Sequence, residues 1–200
     1  MMTRPSRPRH DGLRWFLRQG TQALHDRADA LGGRYALATA PGYRAFLRAH
    51  ARALPALEAA CDRQGLERVV PDWSARRRTA ALAGDMAALA EPMPPPLPLP
   101  AGALASLPAA LGAAYVLEGS RLGNAMLLRG VIRDAAGRVA TAYLSHAPAA
   151  GGWPAFIAML EQALPEPDAW PEALAGACAA FNQFLAALQG EDTEEALLNA

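Results

Sequence analysis

The chain has 200 residues with no formal net charge, 52% of them hydrophobic and 19% charged. That suffices for one compact domain with a real core, barely for two, and the balance is globular rather than disordered. Against 48 Ala there are 13 Val, Ile and Thr together, which excludes a β-sandwich or barrel and makes all-α the expected class.

Residues 1–10 are basic and Pro-rich and read as a disordered tail. Leu13, Leu17, Gly20, Leu24, Ala28 and Leu31 recur at steps of three and four, which predicts a first helix over 12–31, closed by Gly32 and Gly33. A second helix is predicted from Pro41 to about residue 64, with Thr39 as N-cap, Cys61 on its apolar stripe and a kink at Pro55. Asp72 or Ser74 opens a third, running to about Ala90. Six of the nine residues Pro92 to Pro100 are proline, a stiff spacer between helices. One long helix is predicted over 104–133, a loop over 134–152, a fifth helix over 153–164 and a sixth over 171–189. Gly190 serves as the final stop. The expected organisation is a tail (1–10), one helical domain (11–190) and an acidic C-terminal tail (191–200).

All 19 basic residues are Arg, so a catalytic lysine, a Schiff base and a P-loop are excluded. Residues 1–100 carry 15 Arg against 9 acids, and residues 101–200 carry 4 against 10. The basic half suits an anionic ligand or an acidic partner, or the two halves simply attract each other. Zero net charge argues against nucleic acid as a partner. Cys61 and Cys178 form no CxxC and no Cys/His cluster, and they read as buried thiols. There is no secretory signal and no apolar run long enough to span a membrane, so the expected location is the cytoplasm.

Two features carry chemical information. Gly112, Gly119, Gly123 and Gly130 are spaced seven, four and seven apart, on one helical face. Each glycine costs roughly 1 kcal/mol inside a helix, so the stripe needs a reason. Close helix packing is one, and spacing alone favours it. A flat ligand lying against bare backbone is the other. The second feature is Arg18, Thr21, His25 and Asp29 on one side of the first helix. A histidine there is usually an ordinary core or surface residue, yet imidazole is also the usual axial ligand of haem iron. Arg18, about 10 Å along the axis from His25, could meet a propionate of the same ring. Asp29 reads as surface solvation or as an indirect orienter of the imidazole. Together the features fit a porphyrin held between two helices.

The stretch Leu17 to Asp29 resembles the proximal helix of biliverdin-producing haem oxygenases, and Ala114 to Gly123 (AYVLEGSRLG) resembles the distal helix of the bacterial, phytochrome-associated branch. Tyr43 to His50, Trp73 to Arg78, Trp153 to Leu160 and the helix bearing Phe181 also look similar, so the resemblance covers nearly all of the chain after residue 11. It implies a single-domain all-α bundle with haem sandwiched between proximal and distal helices. It implies His25 as the iron ligand, Arg18 on a propionate, Tyr115 at a propionate or the haem edge, and Gly119 and Gly123 over the ring. Ser120 stands where some relatives hold a carboxylate that organises distal water. The family continues Gly-Gly where this chain reads Gly123-Asn124; the Asn124 side chain could bond distal water, crowd the ring or face outward.

The implied reaction is oxidative cleavage of haem, substrate and cofactor in one, to biliverdin, CO and ferrous iron. It uses O2 and electrons from an external donor such as ferredoxin or flavodoxin with its reductase, and a biliverdin-binding phytochrome is a natural consumer. The alternative is a non-catalytic haem binder for transport, storage or sensing on the same fold. Di-iron oxidases need facing carboxylates and a Glu-x-x-His, which His10, His25, His50 and His146 do not supply. A thiaminase-like hydrolase needs an activated Cys, and neither Cys has a neighbouring base in sequence.

Overall fold

The computed structural model describes residues 12–131, 140–147 and 151–198. The N-terminal tail and residues 134–139 and 148–150 of the predicted loop lie outside these residues, and the rest of that loop holds a short helix, Ala142–Ser145, which the sequence pattern does not predict. Among the described residues every regular element is helical: α1 (Leu13–Gly32), α2 (Ala40–Arg63), α3 (Trp73–Arg76), α4 (Thr79–Ala88), α5 (Leu107–Gly119), α6 (Arg121–Gly130), α7 (Ala142–Ser145), α8 (Gly152–Ala163) and α9 (Trp170–Leu198), with two 3-10 turns.

The first two helices start and stop where the sequence signals place them. Thr39 Oγ1 accepts from Gly42 N–H at 3.2 Å, the expected cap of α2. Pro55 lies inside α2, where its ring removes an N–H and disturbs the carbonyls one turn earlier. One of those, Arg52 O, accepts from Leu97 N–H at 2.8 Å. Gln183 Nε2 donates to Leu97 O at 2.8 Å. The proline-rich spacer is thus a strap pinned to α2 on one side and to α9 on the other.

Three predicted boundaries differ. The third helix is two pieces, because Arg77 is extended (φ −63°, ψ 141°). The break exposes the first N–H groups of α4, and the Glu58 carboxylate takes Arg78 N–H at 2.7 Å and Thr79 N–H at 3.2 Å. The long helix begins at Leu107, where Ser106 Oγ accepts from Ala109 N–H and Pro108 fills the first turn, and it is interrupted at Ser120. The last helix runs past Gly190 to Leu198. Glu191, read from sequence as tail, is 2% exposed and takes Arg48 Nε at 2.9 Å and Arg52 Nη1 at 3.4 Å.

Helix α9 is the strut of the fold and packs on α5, α1 and α2. Its contact with α5 is backbone on backbone. A Cβ on Gly112 would lie 1.7 Å from Ala173 O, and one on Gly176 would lie 1.9 Å from Ala109 O. Gly112 therefore belongs to helix packing, not to a ligand. We expect Gly112→Ala to lower stability by about 3 kcal/mol or more, since two main chains must separate to admit the methyl. Gly84→Ala, in open space on α4, should instead raise it by about 0.5–1 kcal/mol. Urea unfolding of the two variants checks both signs.

Candidate functional site

On α1, Leu13, Leu17 and Thr21 are buried against the core, while Arg14, Arg18, His25 and Asp29 are exposed. Steps of four, seven and four residues put these four on one face. The His25 side chain is 56% exposed, and its Nδ1 lies 3.2 Å from Asp29 Oδ2. The carboxylate fixes the ring through Nδ1 and leaves Nε2 as the nitrogen free to bind, the usual arrangement around a metal-binding imidazole. Of the two roles open to Asp29, the geometry supports that of orienter. The other side of the imidazole meets Phe181 of α9 edge-on, centroids 5.9 Å apart.

The remaining glycines of the stripe behave differently from Gly112. Gly123 has no atom within 4 Å of where a Cβ would stand, and Gly119 meets only the edge of the Trp153 ring, at 3.5 Å. Met126, on the same face as Gly123 and Gly130, is 77% exposed, and the flanking Leu122 is 64% exposed. Large apolar side chains left uncovered beside bare backbone mark a binding surface. At the far end of α6, Gly130 approaches Leu37, and a groove of about 350 Å³ opens between Tyr35–Ala38 and Met126, Leu127 and Gly130. At the near end Tyr115 stacks obliquely on Trp153, centroids 5.3 Å apart. Burial pushes the Tyr115 phenol up, and the charges of Arg14 and Arg18 pull it back. The charges of Arg14 and Arg18 thus reach Tyr115 at one end of the α5–α6 segment, and the loop after α1 meets its other end at the apolar groove of Leu37 and Met126. A second groove, lined by Asp62, Arg68, Trp73 and Arg77, shares no residue with it.

Behind the α5–α6 junction lies a buried ionic cluster. Arg76 and Arg78 are each 1% exposed. Glu118 accepts from Arg76 Nη1 at 2.6 Å and from Arg121 Nε at 2.9 Å. Arg121 also donates to His146 Nδ1 and His146 O. Arg78 Nη2 reaches Ser120 Oγ and Leu117 O, each at 2.9 Å. Asn124 is 7% exposed and donates through Nδ2 to Leu144 O at 2.9 Å. This bond packs α6 against α7, a role other than the three that the sequence leaves open for Asn124. Arg14, Arg78, Arg121, Leu122, Met126 and Trp153 were not singled out by sequence. Arg14 was legible, four residues before Arg18, and Met126, seven after Gly119; the others depend on distant partners.

Cys61 is buried with its thiol pushed up to about 12, chiefly by burial, so it is no nucleophile at neutral pH. Among the described residues no three His, Cys, Asp or Glu side chains come together as a metal site, and no helix is long and apolar enough to cross a membrane.

An oriented, exposed imidazole on α1 and an uncovered, glycine-bearing face on α6 stand out in this all-α protein. No family model matches the chain. A haem oxygenase of Xanthomonas campestris pv. campestris (strain 8004) is 36% identical over 153 residues, covering 74% of this chain and 90% of that protein. The solved structure of NO- and CO-bound haem oxygenase from Neisseria meningitidis superposes with a TM-score of 0.75 at 26% identity, over 90% of this chain and 92% of that one. The chain belongs to the haem oxygenase family and is an enzyme of haem degradation.

One half-buried histidine, ringed by aromatic side chains, lies away from the α1 and α6 faces. His50 packs against Phe46, Tyr143 and Phe184, and its Nδ1–H donates to Phe46 O at 2.8 Å. Burial, aided by the Arg78 charge, lowers its pKa to about 4. Unfolding restores the ordinary value, so between these two pH values the unfolded chain binds the extra proton. The contribution of His50 is then full above about pH 6.5 and lost as pH falls towards 4. Replacing His50 with Gln should remove up to about 3 kcal/mol of this pH dependence, read from urea midpoints between pH 7 and 4.

Proposed function

We propose that this chain cleaves haem to biliverdin, CO and ferrous iron with O2 and external electrons, and that the cleft between α1 and α6 is its active site. The observations that support the reading are His25, oriented by Asp29, and the open backbone of Gly123. Haem bound there supplies both the iron that activates O2 and the ring that is cut.

The residues of the chain act as follows. His25 Nε2 would ligate the iron, and Asp29 would hold the ring turned through Nδ1. Arg18, joined by Arg14, holds a propionate, with Tyr115 at the same edge. Gly119 and Gly123 leave room above the iron for a small gas molecule. Leu122 and Met126 cover the ring and keep bulk water from it. Ser120, exposed at the α5–α6 turn, would accept a hydrogen bond from water with the lone pair that Arg78 leaves it. Asn124 acts at a distance by fixing α6 on α7.

No flavin- or iron–sulfur-binding motif accompanies the site, so electrons come from a separate carrier. Arg14, Arg18 and Arg27 display positive charge along α1, which suits an acidic ferredoxin or flavodoxin fed by its reductase. A biliverdin-binding phytochrome is the proposed consumer. Cytoplasm, where free thiols such as Cys61 and Cys178 persist, is the proposed location.

Hemin added to the purified protein should give a stoichiometric Soret band that decays to biliverdin once ferredoxin, its reductase and NADPH are supplied in air. His25→Ala should lose axial imidazole ligation in electron paramagnetic resonance. Gly123→Leu should keep the fold but weaken hemin uptake at least about tenfold, because the side chain fills the ring's place. Bound haem that survives a working electron donor would make the protein a carrier, and imidazole ligation retained in His25→Ala would remove His25 from the site.

A further inference from the structure

The geometry points to Arg78 as a positioning residue of the reaction: it holds the α5–α6 break in one shape and leaves Ser120 able only to accept a hydrogen bond. This rests on the proposed active site, because the break lies between Gly119 and Gly123. In an unbroken helix the carbonyl of Leu117 accepts from the N–H four residues on. Here, where α5 gives way to α6, it accepts from Arg78 Nη2 at 2.9 Å and from Ser120 Oγ at 2.8 Å. The same Arg78 nitrogen donates to Ser120 Oγ at 2.9 Å. Guanidinium, hydroxyl and carbonyl form a closed triangle at the turn.

Two consequences follow from this triangle. The Ser120 proton is spent on Leu117 O and one lone pair on Arg78, so one lone pair remains. Ser120 can therefore take a hydrogen bond from a water but cannot give one, and that water is left with its other proton for the ligand. The second consequence concerns shape. Four connections fix Arg78: its N–H on Glu58, its guanidinium on Ser120 and Leu117, and its stacking 5.0 Å over the Tyr143 ring. The glycine wall thus inherits the rigidity of α2 and α7. A wall that wavered would let the oxidant meet more than one edge of the ring. Arginine suits the role because its fork spans two acceptors, whereas a lysine ammonium is a single point.

The first test needs no haem: amide hydrogen exchange of the ligand-free protein. Arg78→Met should speed exchange across 119–124 by about tenfold or more, with α2 and α9 unchanged. Arg78→Lys should fall between the two, and Arg77→Ala, on the surface beside Asp62, should match the parent. In the hemin-loaded protein Arg78→Met should broaden the products from one biliverdin isomer to several, while hemin affinity changes by less than about threefold. Arg78→Lys should narrow them again. If Arg78→Met does not fold, Arg78→Lys alone decides, since wild-type exchange at 119–124 and a wild-type product pattern in it would overturn the proposal. So would loosening in Arg78→Met that spreads equally through α2 and α9. Failure of the wild-type protein to take up hemin would instead sink the active-site reading and leave the exchange result standing.

Discussion

Helices α5 and α9 approach until the carbonyl of one occupies the space where a side chain of the other would begin. Gly112 against Ala173 and Gly176 against Ala109 make this contact reciprocal, and nothing larger than hydrogen fits at either glycine. The dispersion gained along two closely apposed backbones offsets the intrinsic cost of glycine in a helix. Because α9 also carries α1 and α2, the contact sets where the His25 face stands relative to the wall continued by α6. If the two backbones moved apart, the cleft would change width before any side chain of the site had moved.

The stripe of four glycines thus divides its labour. Gly112 serves packing, a Cβ on Gly130 would only touch Leu37, and Gly119 and Gly123 leave the α5–α6 face bare. The wall needs support from behind, since glycine supplies none of its own. The cluster of Arg76, Arg78, Glu118 and Arg121 provides it. A buried cluster of this kind is weak evidence for net stability but holds geometry well, because every charge in it has a partner whose loss would be costly. The absence of lysine from the chain is consistent with that role, as forked guanidinium groups tie two or three acceptors each.

Much of the architecture was legible in the sequence, for physical reasons that can be named. Leu13 and Leu17 mark the buried side of α1 by their spacing, Thr39 caps α2 through a bond only three residues long, and His25 and Asp29 meet because they are one turn apart; Thr21, read with the His25 side, is instead buried, its hydroxyl bonded to Leu17 O. Whatever depended on distant partners was hidden. The interruption at Ser120 carries no proline, and the side chain that bonds the turn, Arg78, lies 42 residues earlier. The direction of Asn124 is set by Leu144 and the burial of Glu191 by Arg48 and Arg52, all beyond the reach of local periodicity. The glycine stripe was visible, but its two meanings were not, because spacing does not tell whether another helix or open space lies opposite.

The account stands or falls on one arrangement, with the iron between His25 and the bare wall. A crystal structure of the hemin complex tests it most directly. The account predicts His25 Nε2 bound to the iron, the backbone of Gly119 and Gly123 against the opposite face of the ring, and a propionate beside Arg14 or Arg18. Hemin seated elsewhere, as in the groove of Asp62, Trp73 and Arg77, or ligated by another side chain, would contradict it.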